Sequence, residues 1–245
     1  MAAAAAGIRE EWREEAISSG SLKHVDLHTG SNGWASPPGE LFSLRGPNYF
    51  TKKAKIPAGD WVLDPAGVDW LRSNSKLDHV LARPDNRVMN ALRSSKSSKT
   101  FIVAINLQVP GREHHSARFK IVNKIVKGPW IVKTAVGSYS ACLLGKALNC
   151  HYHRGPNYLE IDVDIGSSAI ATAILRLALN CVTAVTVDMG FLVEGQKEEE
   201  LPERLFGAVR ICQMEMSSAT FVDSATPSSK VLPMSSGGES ENEDD

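Results

Sequence analysis

Paired cysteines are missing from this sequence. Cys142, Cys150, Cys181 and Cys212 are widely spaced and form no Cys-x-x-Cys pair, so the spacing indicates neither a zinc site nor a disulfide framework and fits a reducing compartment. Hydrolase and nucleotide signatures are absent as well. There is no Gly-x-Ser-x-Gly, no His-Glu-x-x-His, no Walker-type loop and no Gly-x-Gly-x-x-Gly, which leaves enzymatic activity unsupported. Aromatic residues make up only 7% of the chain and do not interleave with the basic residues. An RNA-recognition platform needs that interleaving, and no helix-turn-helix is readable, so nucleic acid is not an expected partner. Long apolar runs are scarce too. The longest, residues 169–187, carries Arg176 and Asn180, and an arginine near the middle of a membrane span costs about 2.5 to 3.5 kcal/mol. A buried helix running into a strand is the cheaper arrangement. The alanine-rich start holds Glu10, Glu11, Glu14 and Glu15, unlike a secretory signal or an acid-poor transit peptide, so no cleaved address is expected.

What is present describes a folded domain with an uneven charge. With 245 residues and 42% hydrophobic content, the chain is long enough to bury a substantial core. A formal net charge of −1 conceals two blocks. Residues 217–245 hold six acids against Lys230 alone, whereas residues 83–133 hold eleven Lys/Arg against Asp85 and Glu113. A basic block of that kind attracts anionic lipid, nucleic acid or an acidic protein, or is simply a solvated face. Gly/Ser punctuation marks residues 1–33 as an N-terminal segment and linker, and the Ser-rich acidic stretch 217–245 is too polar to bury a core and is expected to be a disordered tail. One domain, 34–216, lies between them.

Within it, periodicity predicts strands over 40–46, 61–63, 101–109, 119–126, 158–165, 183–194 and 205–214, and short helices over 85–92 and after Pro202. A helix over 169 to about 182, apolar nearly all round except at Arg176, is expected to be covered on most sides, with Ser167 or Ser168 as its N-cap. Strands outnumber helices, so the expected class is α+β: a mainly antiparallel twisted sheet packed against one long apolar helix. Arg45-Gly-Pro-Asn-Tyr49 and Arg154-Gly-Pro-Asn-Tyr158 read as two similar turn-to-strand entries.

The sharpest candidate site is the block Tyr158 to Ser168. Alternation sends Leu159, Ile161, Val163 and Ile165 to one face and Glu160, Asp162 and Asp164 to the other. Neighbouring carboxylates about 6.6 Å apart at strand rise can share a hard cation or work as an acid/base pair. The alternation itself favours a plainer role, an acidic face that keeps one side of a sheet wet and pairs with lysines of another strand. Cys150-His151-Tyr152-His153 sets two imidazoles on one face of an extended segment, and His114-His115 adds a pair, but no further ligand at metal spacing accompanies them. No metal and no cofactor is expected. Lys120, Lys124 and Lys127 are the candidate contacts for an anionic lipid or membrane surface, each worth about 1 kcal/mol there. A protein partner, met by the acidic tail, is the other expected class.

Several longer blocks resemble one family. Trp34, Phe42-Ser-Leu-Arg-Gly46, Asn106-Leu-Gln-Val-Pro-Gly111, Phe119-Lys-Ile121, Gly128-Pro-Trp-Ile-Val-Lys133, Gly155 to Ser168 and Glu200-Leu-Pro-Glu203, in that order, are similar to the C-terminal domain of plant Enhanced Disease Resistance 2 proteins. The resemblance implies a non-enzymatic regulatory module of proteins that restrain defence and cell death at membranes, cytoplasmic and peripheral at the membrane. Larger members carry a pleckstrin-homology and a START domain before this one, and neither is readable here. After Gly111 the family pattern continues through a further strand before its Arg-Phe-Lys block, whereas here only residues 112–117 intervene. The chain therefore resembles an internally shortened copy.

Overall fold

The structure, a computed structural model, describes residues 20–94, 100–108, 118–137 and 140–222. In chain order the described strands are β1 Lys23–His24, β2 Gly33–Ala35, β3 Ser43–Arg45, β4 Lys55–Pro57, β5 Leu71–Arg72, β6 Ile102–Gln108, β7 Phe119–Lys127, β8 Ser140–Leu143, β9 Asn149–Arg154, β10 Tyr158–Asp164, β11 Thr186–Val193, β12 Leu205–Cys212 and β13 Thr220–Phe221. The helices are α1 Tyr49–Lys52, α2 Arg87–Ser94, α3 Trp130–Val136, α4 Leu144–Ala147 and α5 Ala169–Leu179.

These elements form four sheets rather than one. A six-stranded sheet has the order β1-β2-β12-β11-β7-β8, a three-stranded sheet the order β6-β10-β9, and two strand pairs, β3-β4 and β5-β13, complete the set. Most pairings are antiparallel, but β6 and β10, β1 and β2, and β5 and β13 run parallel. The pleat of β7 explains how the layers stack. Val122 joins Leu192, Leu205 and Ala208 against Phe42, Leu44 and Ala58, so the β3–β4 pair covers one face of the large sheet. Phe119 and Ile121, with Phe191, face the other way and meet Ile161 and Val163 of β10. The two sheets therefore share a core through the apolar side of β10, as the alternation of 158–165 predicted. Gly190 belongs to this packing. A Cβ there would lie 2.8 Å from Leu205 Cδ2 and 2.9 Å from Phe42 Cδ1, closer than side chains approach one another.

Three expectations are corrected. No long apolar helix crosses the sheet: the longest helix among the described residues, α5, has eleven residues, because the chain turns at Asn180 into a short 3-10 segment, Val182–Ala184, before β11. None of its residues is buried, and Ile170 is 75% exposed. The flank bearing Leu177 and Ala178 packs against Ile125, Val132 and Val185, and Ala171 packs against the core shared by the two larger sheets. Its cap is the expected one, since Ser168 Oγ accepts the Ala171 N–H, while Ser167 instead ties Asn149 N–H to Asp164 C=O. Residues 61–63 are not a strand: they give single hydrogen bonds to the Leu205 and Phe206 carbonyls, and β3 pairs with β4. The segment after Pro202 is not helical; the 3-10 turn lies before it, at Glu198–Glu200.

Paired strands also occur on either side of residues 34–216. Leu22 is buried with Trp34 and Met214, and β1 pairs with β2, so the linker stretch contributes to the sheet. At the other end Thr220–Phe221 pairs with Leu71–Arg72. Residues 223–245, which hold the acidic run, and His114-His115 lie outside the described residues.

Candidate functional site

The carboxylates of β10 are not wet. Glu160, Asp162 and Asp164 are 0%, 1% and 0% exposed, which overturns the expectation of a solvated acidic face. Alternation identifies two faces of a strand but not what covers them. Here the second face is roofed by residues 76–92, with Leu81, Met89 and Leu92 packing on Ile102 and Tyr158. A buried carboxylate is tolerated when its oxygens are bonded or paired: both oxygens of Glu160 and of Asp162 accept hydrogen bonds, while Asp164 Oδ2 accepts none and is met by Lys76 as an ion pair.

Glu160 accepts the Val80 N–H at 2.6 Å and the Leu81 N–H at 2.8 Å. These are the first free donors of a 3-10 turn, Val80–Ala82, so Glu160 caps that turn from across the sheet, where helix N-termini favour negative charge. Asp162 accepts three bonds of 2.9 Å, from the His79 N–H, Asn106 Nδ2 and His153 Nε2. Asp164 pairs with Lys76 at 3.5 Å. Asn106 and Gln108, which lie beside Asp162 and Asp164 in the parallel register, both donate to the Leu77 carbonyl at 2.6 Å. The roof is thus latched at residue after residue from Lys76 to Leu81. His79 sits in the left-handed region at φ 51°. Its ring stacks on His153 at 4.2 Å and 9°, with Nε2 2.8 Å from the Tyr158 hydroxyl.

The latch responds to protons. Burial pushes the Glu160 carboxyl up to about 7, opposed by the Leu81 and Val80 amides and assisted by Asp162 beside it. The folded chain therefore holds this proton more tightly than the unfolded chain. The resulting stability is complete below about 4.5, the group's ordinary value, and is lost as pH rises through about 7. His79 behaves in the opposite sense. Burial, then the neighbouring His153, lowers its pKa below 6.5 against the pull of Asp162, so its contribution is present above 6.5 and is lost as pH falls. Glu160→Gln removes the first dependence and leaves the second. Urea midpoints taken across pH 4.5 to 7 should show the wild type losing stability relative to the variant as pH rises; parallel profiles would mean that Glu160 titrates as in an open chain.

The arrangement suits bracing rather than turnover. Both Glu160 oxygens accept backbone N–H groups, and Asp162 is enclosed by three donors. Among the described residues no three of His, Cys, Asp and Glu converge as a metal ion would require. Of the histidine motif, His153 enters the latch, whereas Lys76, His79, Asn106 and Gln108 had no signal of their own in the sequence. The Asn-x-Gln of β6 is readable afterwards as the polar face that matches Asp-x-Asp of β10.

The three candidate lysines do not form one surface. Lys120 is buried and donates to Glu203 at 2.9 and 3.2 Å, so it is not available to a headgroup; the strand pattern hid this because its counter-ion is 83 residues away. Lys124 is half-buried opposite Asp188. Lys127 is exposed. Glu203 also accepts the Arg45 and Gly195 N–H groups, and Arg45 reaches Glu194 at 3.3 Å. Three of the sequence blocks quoted above, around Arg45, Lys120 and Glu203, therefore meet in one buried ion cluster. The two Arg-Gly-Pro-Asn-Tyr copies differ in use: the second closes the β9–β10 hairpin, while the first leads from β3 into the helical turn α1.

Past β7 the chain turns at Gly128, φ 153°, and Pro129 precedes α3. Val132 anchors that helix in the core at 0% exposure, which leaves Trp130 77% and Ile131 46% exposed, with Lys127 and Lys133 exposed on either side. No helix among the described residues is long and apolar enough to cross a membrane.

The sequence matches the profile of the family described as "Protein ENHANCED DISEASE RESISTANCE 2, C-terminal" over residues 34–117 and 112–215. The two stretches meet where the sequence is short of the family pattern. It is similar to the Arabidopsis thaliana "Protein ENHANCED DISEASE RESISTANCE 2-like", 39% identical over 229 residues, which takes in 82% of this chain and 31% of that protein. The chain thus spans about a third of the length of that curated relative. No solved structure matches it.

Proposed function

Because the chain belongs to the family of the C-terminal domain of ENHANCED DISEASE RESISTANCE 2 proteins, we propose that it is a non-enzymatic regulatory domain of the plant-defence kind that works at an anionic membrane surface, as a peripheral protein of the cytoplasmic side. The observation that carries the membrane reading is Trp130. A tryptophan 77% exposed on a short helix fixed by Val132 keeps a large amphipathic ring in water. Such rings, flanked by lysines, favour the headgroup level of a bilayer, where each lysine adds about 1 kcal/mol. Lys127, Trp130, Ile131 and Lys133 supply that combination within seven residues. They replace the row of Lys120, Lys124 and Lys127, of which only the last is exposed.

Co-sedimentation with phosphatidylcholine vesicles, with and without phosphatidylserine, tests this. Binding should require the anionic lipid, weaken with salt, and drop at least tenfold in Trp130→Ala and in the double variant Lys127→Glu/Lys133→Glu. Equal partitioning to both vesicle types, or binding indifferent to these substitutions, would remove the membrane reading.

A further inference from the structure

A second exposed basic feature stands apart from that edge. The β3–β4 ladder, Ser43↔Pro57 to Arg45↔Lys55, is rooted by the buried Phe42 and Leu44 and ends in α1. Its tip exposes Lys52, Lys53 and Lys55, and no acidic residue occurs between Leu41 and Gly59. The lysines are held on a fixed backbone: Gly46 N–H bonds Ala54 C=O, Lys52 N–H bonds Asn48 C=O, and Lys53 N–H bonds Tyr49 C=O at 2.8 Å. Lys53 lies 5.5 Å from the Tyr49 ring. Arg45 is engaged with Glu194 and Glu203, and Lys55 takes part in an interaction of its own. The adjacent Lys52 and Lys53, preset by a turn, make a site for a short polyanion that needs little ordering on binding.

We propose that the tip of the β3–β4 hairpin docks this chain's own acidic segment, residues 239–245. That segment, Glu-Ser-Glu-Asn-Glu-Asp-Asp, has five carboxylates in seven residues and no cation. Its charge complements the hairpin more closely than it does the Lys127–Lys133 edge, where an exposed tryptophan separates the lysines. Reach is sufficient. Residues 223–238 separate Val222 from the acidic run, and an extended chain of that length spans about 55 Å, more than the roughly 40 Å diameter expected of a domain this size. Tethering raises the local concentration of the segment to the order of millimolar, so a few screened ion pairs suffice at low salt.

Zero-length carbodiimide cross-linking of the full chain at low ionic strength, with the linked peptides located by mass spectrometry, tests the contact. The expected result is cross-links from residues 239–245 concentrated on Lys52 and Lys53, independent of protein concentration, reduced at least fivefold by high salt and by Lys52→Glu/Lys53→Glu. Both positions are exposed, and circular dichroism checks that the variant stays folded. Cross-links spread evenly over Lys127, Lys133, Lys146 and Lys197, or found on Lys127 and Lys133, would overturn the assignment. So would yields that rise with protein concentration, since the occupant would then be a second copy, and so would no cross-link to the segment at all.

Discussion

Asp162→Ala is expected to lower the unfolding free energy by about 3 to 5 kcal/mol, much of the 5 to 15 kcal/mol that typically holds a domain together. The His79 N–H, Asn106 Nδ2 and His153 Nε2 all donate to this one carboxylate, and each buried donor left without an acceptor costs about 1 to 3 kcal/mol. A urea titration measures the loss. Had Asp162 lain on a solvated sheet face, the same substitution would stay within about 0.5 kcal/mol, so the two readings of the acidic block differ by far more than the error of the method. Asp162→Asn keeps the size and one acceptor while aiming an amide at a donor, and should fall between.

The second large effect is expected at Glu203. Its carboxylate is the counter-ion of Lys120, whose side chain is 8% exposed, and it accepts the N–H groups of Arg45 and Gly195. Removing one partner of a buried pair leaves the other charge uncompensated, at about 3 to 5 kcal/mol. Glu203→Ala should cost that much, and Lys120→Met a comparable amount. The double variant Lys120→Met/Glu203→Leu should recover a good part, because an apolar pair of similar volume removes both desolvation penalties. A double-mutant cycle reads the coupling. Strict additivity would show that the pair does not act as a unit.

How much of this was legible in the sequence depended on distance along the chain. The strand Tyr158–Asp164, its apolar face and the Ser168 cap were readable, because a period of two and an N-cap are local signals. The roof over Glu160 and Asp162 was not: Lys76 to Leu81 lie about eighty residues upstream and show no period, since they are held one at a time by backbone N–H and carbonyl groups rather than by an apolar stripe. Lys120 illustrates the same limit from the other side. In a run with Lys124 and Lys127 it reads as part of a basic face, and only its partnership with Glu203 makes it internal. The apolar stretch 169–187 promised a covered helix because composition reports hydrophobicity but not where an element stops; Asn180 ends it early and it packs on one flank. Trp130 was visible as a residue, but its exposure follows from Val132 taking the inward position of a seven-residue helix.

The acidic block is an internal latch, and amide hydrogen exchange tests that most directly. The His79, Val80 and Leu81 N–H groups are bonded to Asp162 and Glu160 side chains, outside any strand ladder. Their protection therefore depends on those carboxylates. In the wild type these three amides should exchange as slowly as those of β10, and Asp162→Ala should speed the His79 amide selectively, as Glu160→Ala should those of Val80 and Leu81. Exchange at open-chain rates in the wild-type protein would contradict the latch and return Glu160 and Asp162 to a free acidic surface.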